Sequence, residues 1–165
     1  DPALGQFKSG RVVANMFPEP PEDVIVQLIA YARSGERGQQ NFVVDITANY
    51  DGAPVVFTVL KELVAVLPAD DELLEGVSAA LGETGVMHGE FGYRDAVIAQ
   101  RDALGPWLED KRESVRTFAE DLIKRLDNAI AAAQQRAQED IAMRKLRYDE
   151  PLDDKESKPD GSGKE

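Results

Sequence analysis

The sequence predicts an all-α protein built from helical hairpins, and three observations carry that prediction. Apolar residues recur at helical spacing in six consecutive segments. Prolines, acidic residues and glycines punctuate those segments where helices start and stop. The apolar stripes also map onto one another when the chain is shifted along itself.

Residues 1–20 read as an irregular lead-in, because Gly5, Gly10, Pro18 and Pro20 interrupt any period. Pro21-Glu22-Asp23 then opens a helix with proline and acids in its first turn, where the exposed amides favour negative charge. Ile25, Leu28, Ile29 and Ala32 form its stripe, and Ser34-Gly35 ends it. A second segment, from about 39 to 49, puts Phe42, Val43 and Ile46 on one side. Its run Phe42-Val43-Val44-Asp45-Ile46-Thr47 also suits a short strand, because β-branched residues dominate it. The periodicity of its neighbours favours a helix.

A third helix starts near Pro54, carries Val56, Leu60, Leu63, Val64 and Leu67, and stops at Pro68. Asp70-Asp71-Glu72 loads charge on the next N-terminus, and Leu74, Val77 and Leu81 make the fourth stripe. A glycine-punctuated loop from Gly82 to Gly92 leads to a fifth helix over about 93–104, followed by a corner at Pro106-Trp107-Leu108. From Glu113 the helical pattern runs unbroken to near Asp149. The polar residues 150–165, with Pro151, Pro159, Gly161 and Gly163, read as a disordered tail.

A shift of 35 residues aligns Ile25, Leu28, Ile29 and Ala32 with Leu60, Leu63, Val64 and Leu67, and Phe42 and Ile46 with Val77 and Leu81. A shift of 41 carries Leu63 and Leu67 onto Leu104 and Leu108, and Val77 and Leu81 onto Phe118 and Leu122. Three hairpins follow, the third being the least regular because its register breaks at Arg101 and Gly105.

The last hairpin, Leu104-Gly105-Pro106-Trp107-Leu108-Glu109-Asp110 followed by Ser114-Val115-Arg116-Thr117-Phe118-Ala119 and Leu122-Ile123, resembles a HEAT repeat. The resemblance covers 104–126 and is looser over 21–82, where the second helices lack the Val-Arg pair. It implies a short right-handed α-α superhelix of about three HEAT-like hairpins over 21–128, ending in a long C-terminal helix. It further implies that Val115 and Ala119 pack between hairpins while Arg116 reaches back to the turn carboxylates. HEAT-like stacks are binding scaffolds without catalytic residues, so the resemblance carries over no site.

Composition narrows the chemistry. The 165 residues include 19 bases and 31 acids, a net charge of −12. That excludes non-specific duplex binding as the default role, because phosphate affinity depends on basic side chains releasing counterions. Residues 1–110 hold 7 bases against 18 acids, and residues 111–165 hold 12 against 13. The front is thus an acidic body, offering solubility or a docking face for a basic partner. With no cysteine, disulfides, thiolate metal sites and cysteine nucleophiles are excluded together. No apolar run approaches the 20 residues or so that a membrane helix needs.

The loop Gly82-Glu83-Thr84-Gly85-Val86-Met87-His88-Gly89-Glu90-Phe91-Gly92 is the most unusual local feature. Glycine-rich turns before helices cradle phosphates, but this one lacks the Lys-Ser/Thr ending, follows a helix and carries two acids. It reads as an inter-hairpin loop. His88 is the only histidine; with Glu83 and Glu90 alone it falls short of the usual multi-histidine metal sites, and no nucleophile or orienting group is spaced for it. The acidic clusters at 70–72 and 109–110 sit at predicted helix starts, which explains them. Asp153, Asp154 and Asp160 do not fit an EF-hand loop. No catalytic, cofactor-binding or metal-binding residue is assigned.

Function is expected in the last helix. Leu122, Leu126, Ile130, Ala133, Ala137 and Ile141 recur at steps of 4, 4, 3, 4 and 4, a narrow stripe closer to an eleven-residue than a seven-residue repeat. Thirty-seven helical residues extend about 55 Å, so residues 129–149 should project beyond three short hairpins. Leu126, Ile130, Ala133, Ala137 and Ile141 are the expected interaction residues, forming a coiled-coil-like arm. The alternative is a solvated helix held by intrinsic propensity and pairs such as Glu120–Lys124 and Asp121–Arg125. The basic run Arg144-Lys145-Leu146-Arg147 is too short to indicate nucleic-acid binding.

The sequence therefore predicts a non-enzymatic protein–protein interaction scaffold. An alternative is an oligomerisation or regulatory module that self-pairs through the long helix. The partner is a protein or a second copy, with no nucleic acid, membrane, cofactor or small-molecule substrate. Opening on Asp1-Pro2, the chain is expected to be the C-terminal module of a larger bacterial, cytoplasmic protein.

Overall fold

The computed structural model describes residues 10–50, 52–82 and 92–149. Those residues are helical with short connections and contain no strand. The helices are α1 (residues 10–16), α2 (Glu22–Arg33), α3 (Arg37–Thr47), α4 (Pro54–Val64), α5 (Leu73–Gly82), α6 (Gly92–Leu104) and α7 (Glu113–Asp149), with a 3₁₀ turn at Gly105–Glu109 before α7.

Helix α1 corrects the reading of 1–20 as irregular throughout. Between Gly10 and Pro18 no residue breaks a helix, and Val13 and Ala14 gain burial against the core. Gly10 permits the approach, since a Cβ there would lie 2.8 Å from the Asp45 carbonyl oxygen.

The ambiguous run at 42–47 is helical. Its β-branched residues are spaced to bury one face, with Val43, Ile46 and Thr47 at 0–2% exposure, so packing outweighs β propensity. The Thr47 hydroxyl donates to the Val43 carbonyl at 2.8 Å, a bond back along the helix that satisfies a buried polar group. Gly35, at φ +73°, makes the turn from α2 to α3.

Helices α2 and α3 pack as a hairpin, as do α4 and α5; α2 lies against α4, and α3 against α5. Some residues of the stripes related by the 35-residue shift share burial, whereas Ile25, Ile29 and Phe42 are half-buried where Leu60, Val64 and Val77 are fully buried. Leu28 and Leu63 are both buried, as are Ile46 and Leu81. In the third unit Leu104, Phe118 and Leu122 are also buried, but Leu108 is 40% exposed. There the Gly105–Glu109 turn puts Trp107 inside instead. The Trp107 ring lies edge-on to Phe57 of α4 at 6.5 Å and against Phe118 of α7 at 6.1 Å, joining the second hairpin to the third.

The third hairpin attaches to the second through α7 against α4 and α6 against α5. Val115 and Ala119 are fully buried. Arg116 corrects one detail, because it donates to the Asp110 backbone carbonyl at 2.7 Å and not to a turn carboxylate. Arg112 takes that carboxylate.

Candidate interaction groove

Two features of the stack bear on function: a charged clasp that fixes α7 beside α4, and a groove that this attachment leaves between α5 and α7. The clasp starts at Asp110, whose Oδ1 accepts the Arg112 backbone amide at 2.9 Å and so closes an Asx turn just ahead of α7. The Arg112 guanidinium grips both Asp110 oxygens at 2.8 and 2.9 Å and reaches Glu62 Oε2 of α4 at 2.8 Å. The same Glu62 oxygen accepts from Arg33 of α2 at 2.7 Å, while Lys61 lies 3.4 Å from Asp110. One chain of ion pairs thus crosses all three hairpins, supplemented by Arg37–Asp71 at 2.7 Å between the first two.

Hydrogen bonds from Arg112 hold the Asp110 carboxyl far below its ordinary value of 3.8. Burial raises the Glu62 carboxyl, but the bonds from Arg112 and Arg33 outweigh it and the net shift is downward. The Arg112 guanidinium is raised in turn. These side chains are engaged with one another, which makes the clasp a structural joint.

The groove, of about 520 Å³, opens beside the clasp. Val64, Leu67 and Phe118 make a buried apolar floor, with Leu74 half-buried on the α5 wall. Glu75, Glu113, Thr117, Asp121 and Arg125 stand exposed at the rim. Its serine hydroxyls are already used: Ser78 donates to the Leu74 carbonyl at 2.8 Å and Ser114 to the Ala65 carbonyl at 3.3 Å. Arg125 donates to the Asp121 carbonyl at 3.4 Å, in place of the expected Asp121–Arg125 carboxylate pair. The result is an apolar trough with an acidic rim and no buried polar group aimed at a ligand. Small-molecule sites differ in carrying a few convergent polar groups in a concave wall.

The stripe expected to meet a partner is divided by the fold. Leu126 is 9% exposed and belongs to the chain's own core, where α6 packs along α7, so it is not available to a partner. Ile130, Ala133 and Ala137 are half-buried, and Ile141 is 40% exposed. Met143, which the stripe omitted, is 62% exposed on the opposite side of the helix from Ile141.

A second gap of about 240 Å³, lined by Phe57, Leu81, Ala96, Ala99 and Gln100, lies where α6 meets α4 and α5. His88, Glu83 and Glu90 lie outside the described residues. Among the described residues no group of three or more His, Cys, Asp or Glu could hold a metal ion. None of the described helices is long and apolar enough to cross a membrane.

Sequence reasoning missed the groove because its walls come from two different hairpins. The break of register at Arg101 and Gly105 was its one signal, marking a third unit offset from the second. The chain matches no protein-family model, no curated protein and no solved structure.

Proposed function

We propose that the chain is a non-enzymatic protein-interaction scaffold, a HEAT-like stack whose α5–α7 groove receives an amphipathic helix bearing basic residues. The apolar floor framed by Glu75, Glu113 and Asp121 is the observation that carries this reading. Val64, Leu67, Leu74 and Phe118 offer a partner helix the apolar contact that helix-in-groove recognition uses. The acidic rim selects for cations and steers their approach. The right-handed superhelix belongs to the same proposal, supported by the α2–α4 and α3–α5 packing and the shared burial of shifted stripes.

The test uses the absence of cysteine. Thr117→Cys, exposed on the rim, accepts an environment-sensitive fluorophore at a single place. A synthetic Leu/Lys amphipathic helix should shift its emission with a micromolar Kd that weakens as salt rises. The matching Leu/Glu helix should leave it unchanged. Equal response to both peptides, or to neither, refutes the groove as a site for basic helices.

A further inference from the structure

We infer that the helix which fits this groove is the exposed end of α7 from a second copy of the chain. The inference rests on the groove reading above and names its occupant. Past the contact with α6, α7 leaves Ile141 40% and Met143 62% exposed on opposite sides of the helix, and Met143 shares the side of the groove-lining Asp121. In the sequence, Arg144, Lys145 and Arg147 follow at once. No other four-residue stretch holds three bases, and the body that bears the groove has 7 bases against 18 acids over residues 1–110. Apolar side chains followed by positive charge are what an apolar floor with an acidic rim complements.

The same chain cannot supply this segment to its own groove. Asp121 and Met143 lie on one continuous helix, so the 22 steps between them span about 33 Å. A second copy has no such constraint. Each chain carries one groove and one end, so two chains exchange ends reciprocally and close a two-fold dimer with two identical contacts. Two antiparallel α7 helices that match Asp121 of one to Met143 of the other, residues 22 apart and so on one side of the helix, have their midpoint at Ala132. The run Ala131-Ala132-Ala133 lies there, and small side chains at a crossing let helix axes approach closely.

The experiment is light scattering on the full chain across a concentration series, with charge exchange between groove and helix end. The wild-type chain should pass from monomer to dimer. Glu75→Lys with Asp121→Lys should raise the dimer Kd by about tenfold or more, as should Arg144→Glu with Lys145→Glu. An equimolar mixture of the two variants, in which each reversed rim meets a reversed end, should regain most of the lost affinity. Far-UV circular dichroism and melting guard against unfolding, and Met143→Glu provides a second disruption at an exposed position. A wild-type chain monomeric at every concentration overturns the inference, and so does a dimer indifferent to all these changes. If that monomer still binds the Leu/Lys helix at Thr117→Cys, the groove reading stands without self-association; if it binds neither, both fall.

Discussion

Replacing Arg112 by alanine should loosen the third hairpin from the second. Three charge-assisted hydrogen bonds, at 2.8, 2.8 and 2.9 Å, leave with the guanidinium. Bonds to charged groups contribute roughly 1.5–3 kcal/mol each when buried. The Arg112 side chain, however, is 35% exposed, so solvent screening reduces that figure. Asp110 also keeps Lys61 and the backbone amide of residue 112, and Glu62 keeps Arg33. The net loss should be about 2 kcal/mol, or roughly 4–8 °C in Tm for a chain of this size. Urea unfolding followed by the fluorescence of Trp107, the single tryptophan and nearly fully buried, reads this joint directly. The pH dependence adds a signature. Both carboxyls are lowered by folding, from ordinary values of 3.8 for Asp110 and 4.5 for Glu62. Their contribution is therefore complete above those values and is lost as pH falls through the folded ones. The gap between wild type and Arg112→Ala should be widest near neutrality and narrow from about pH 4 downward. A loss under about 0.5 kcal/mol, or a gap that widens in acid, refutes the clasp as the joint.

Two further substitutions test the packing. Gly10→Ala should cost about 1–3 kcal/mol or detach α1, because its Cβ would meet the Asp45 carbonyl at 2.8 Å; Gly38→Ala, a helical position with nothing within 4 Å, should instead gain about 0.5–1 kcal/mol. Chemical denaturation of the two variants side by side checks the contrast, and equal effects would refute it. Tyr50 is 7% exposed and its hydroxyl has no partner among the described residues, so Tyr50→Phe should leave thermal stability unchanged or raise it by about 1 kcal/mol. A marked fall in Tm would show that the hydroxyl is engaged.

The helices were legible in the sequence because their signals are local. Pro21, Pro54 and the acids before Leu73 mark three starts, and the apolar spacing assigns each buried face. Residues 42–47 were the real contest, and the α-helical outcome follows from which residues the neighbouring helices cover. Helix α1 was hidden for the opposite reason. Gly10 reads as a breaker in sequence, yet here it is the residue that lets a helix approach α3.

The groove was illegible on different grounds. The groove lies between α5 and α7, helices of two different hairpins, so no local run of residues signals it. The 41-residue shift pairs Leu67 with Leu108, but Leu67 is buried in the groove floor while Leu108 is exposed. Trp107 takes the inward position, and the clasp at Asp110 and Arg112 ties the start of α7 to α4. Fixing α7 there leaves the apolar faces of Leu74 and Phe118 opposite one another across open space. Farther along α7 the Ile141 and Met143 side chains are exposed. The inward Trp107 and the clasp together account for a trough between α5 and α7 with an apolar floor and a charged rim.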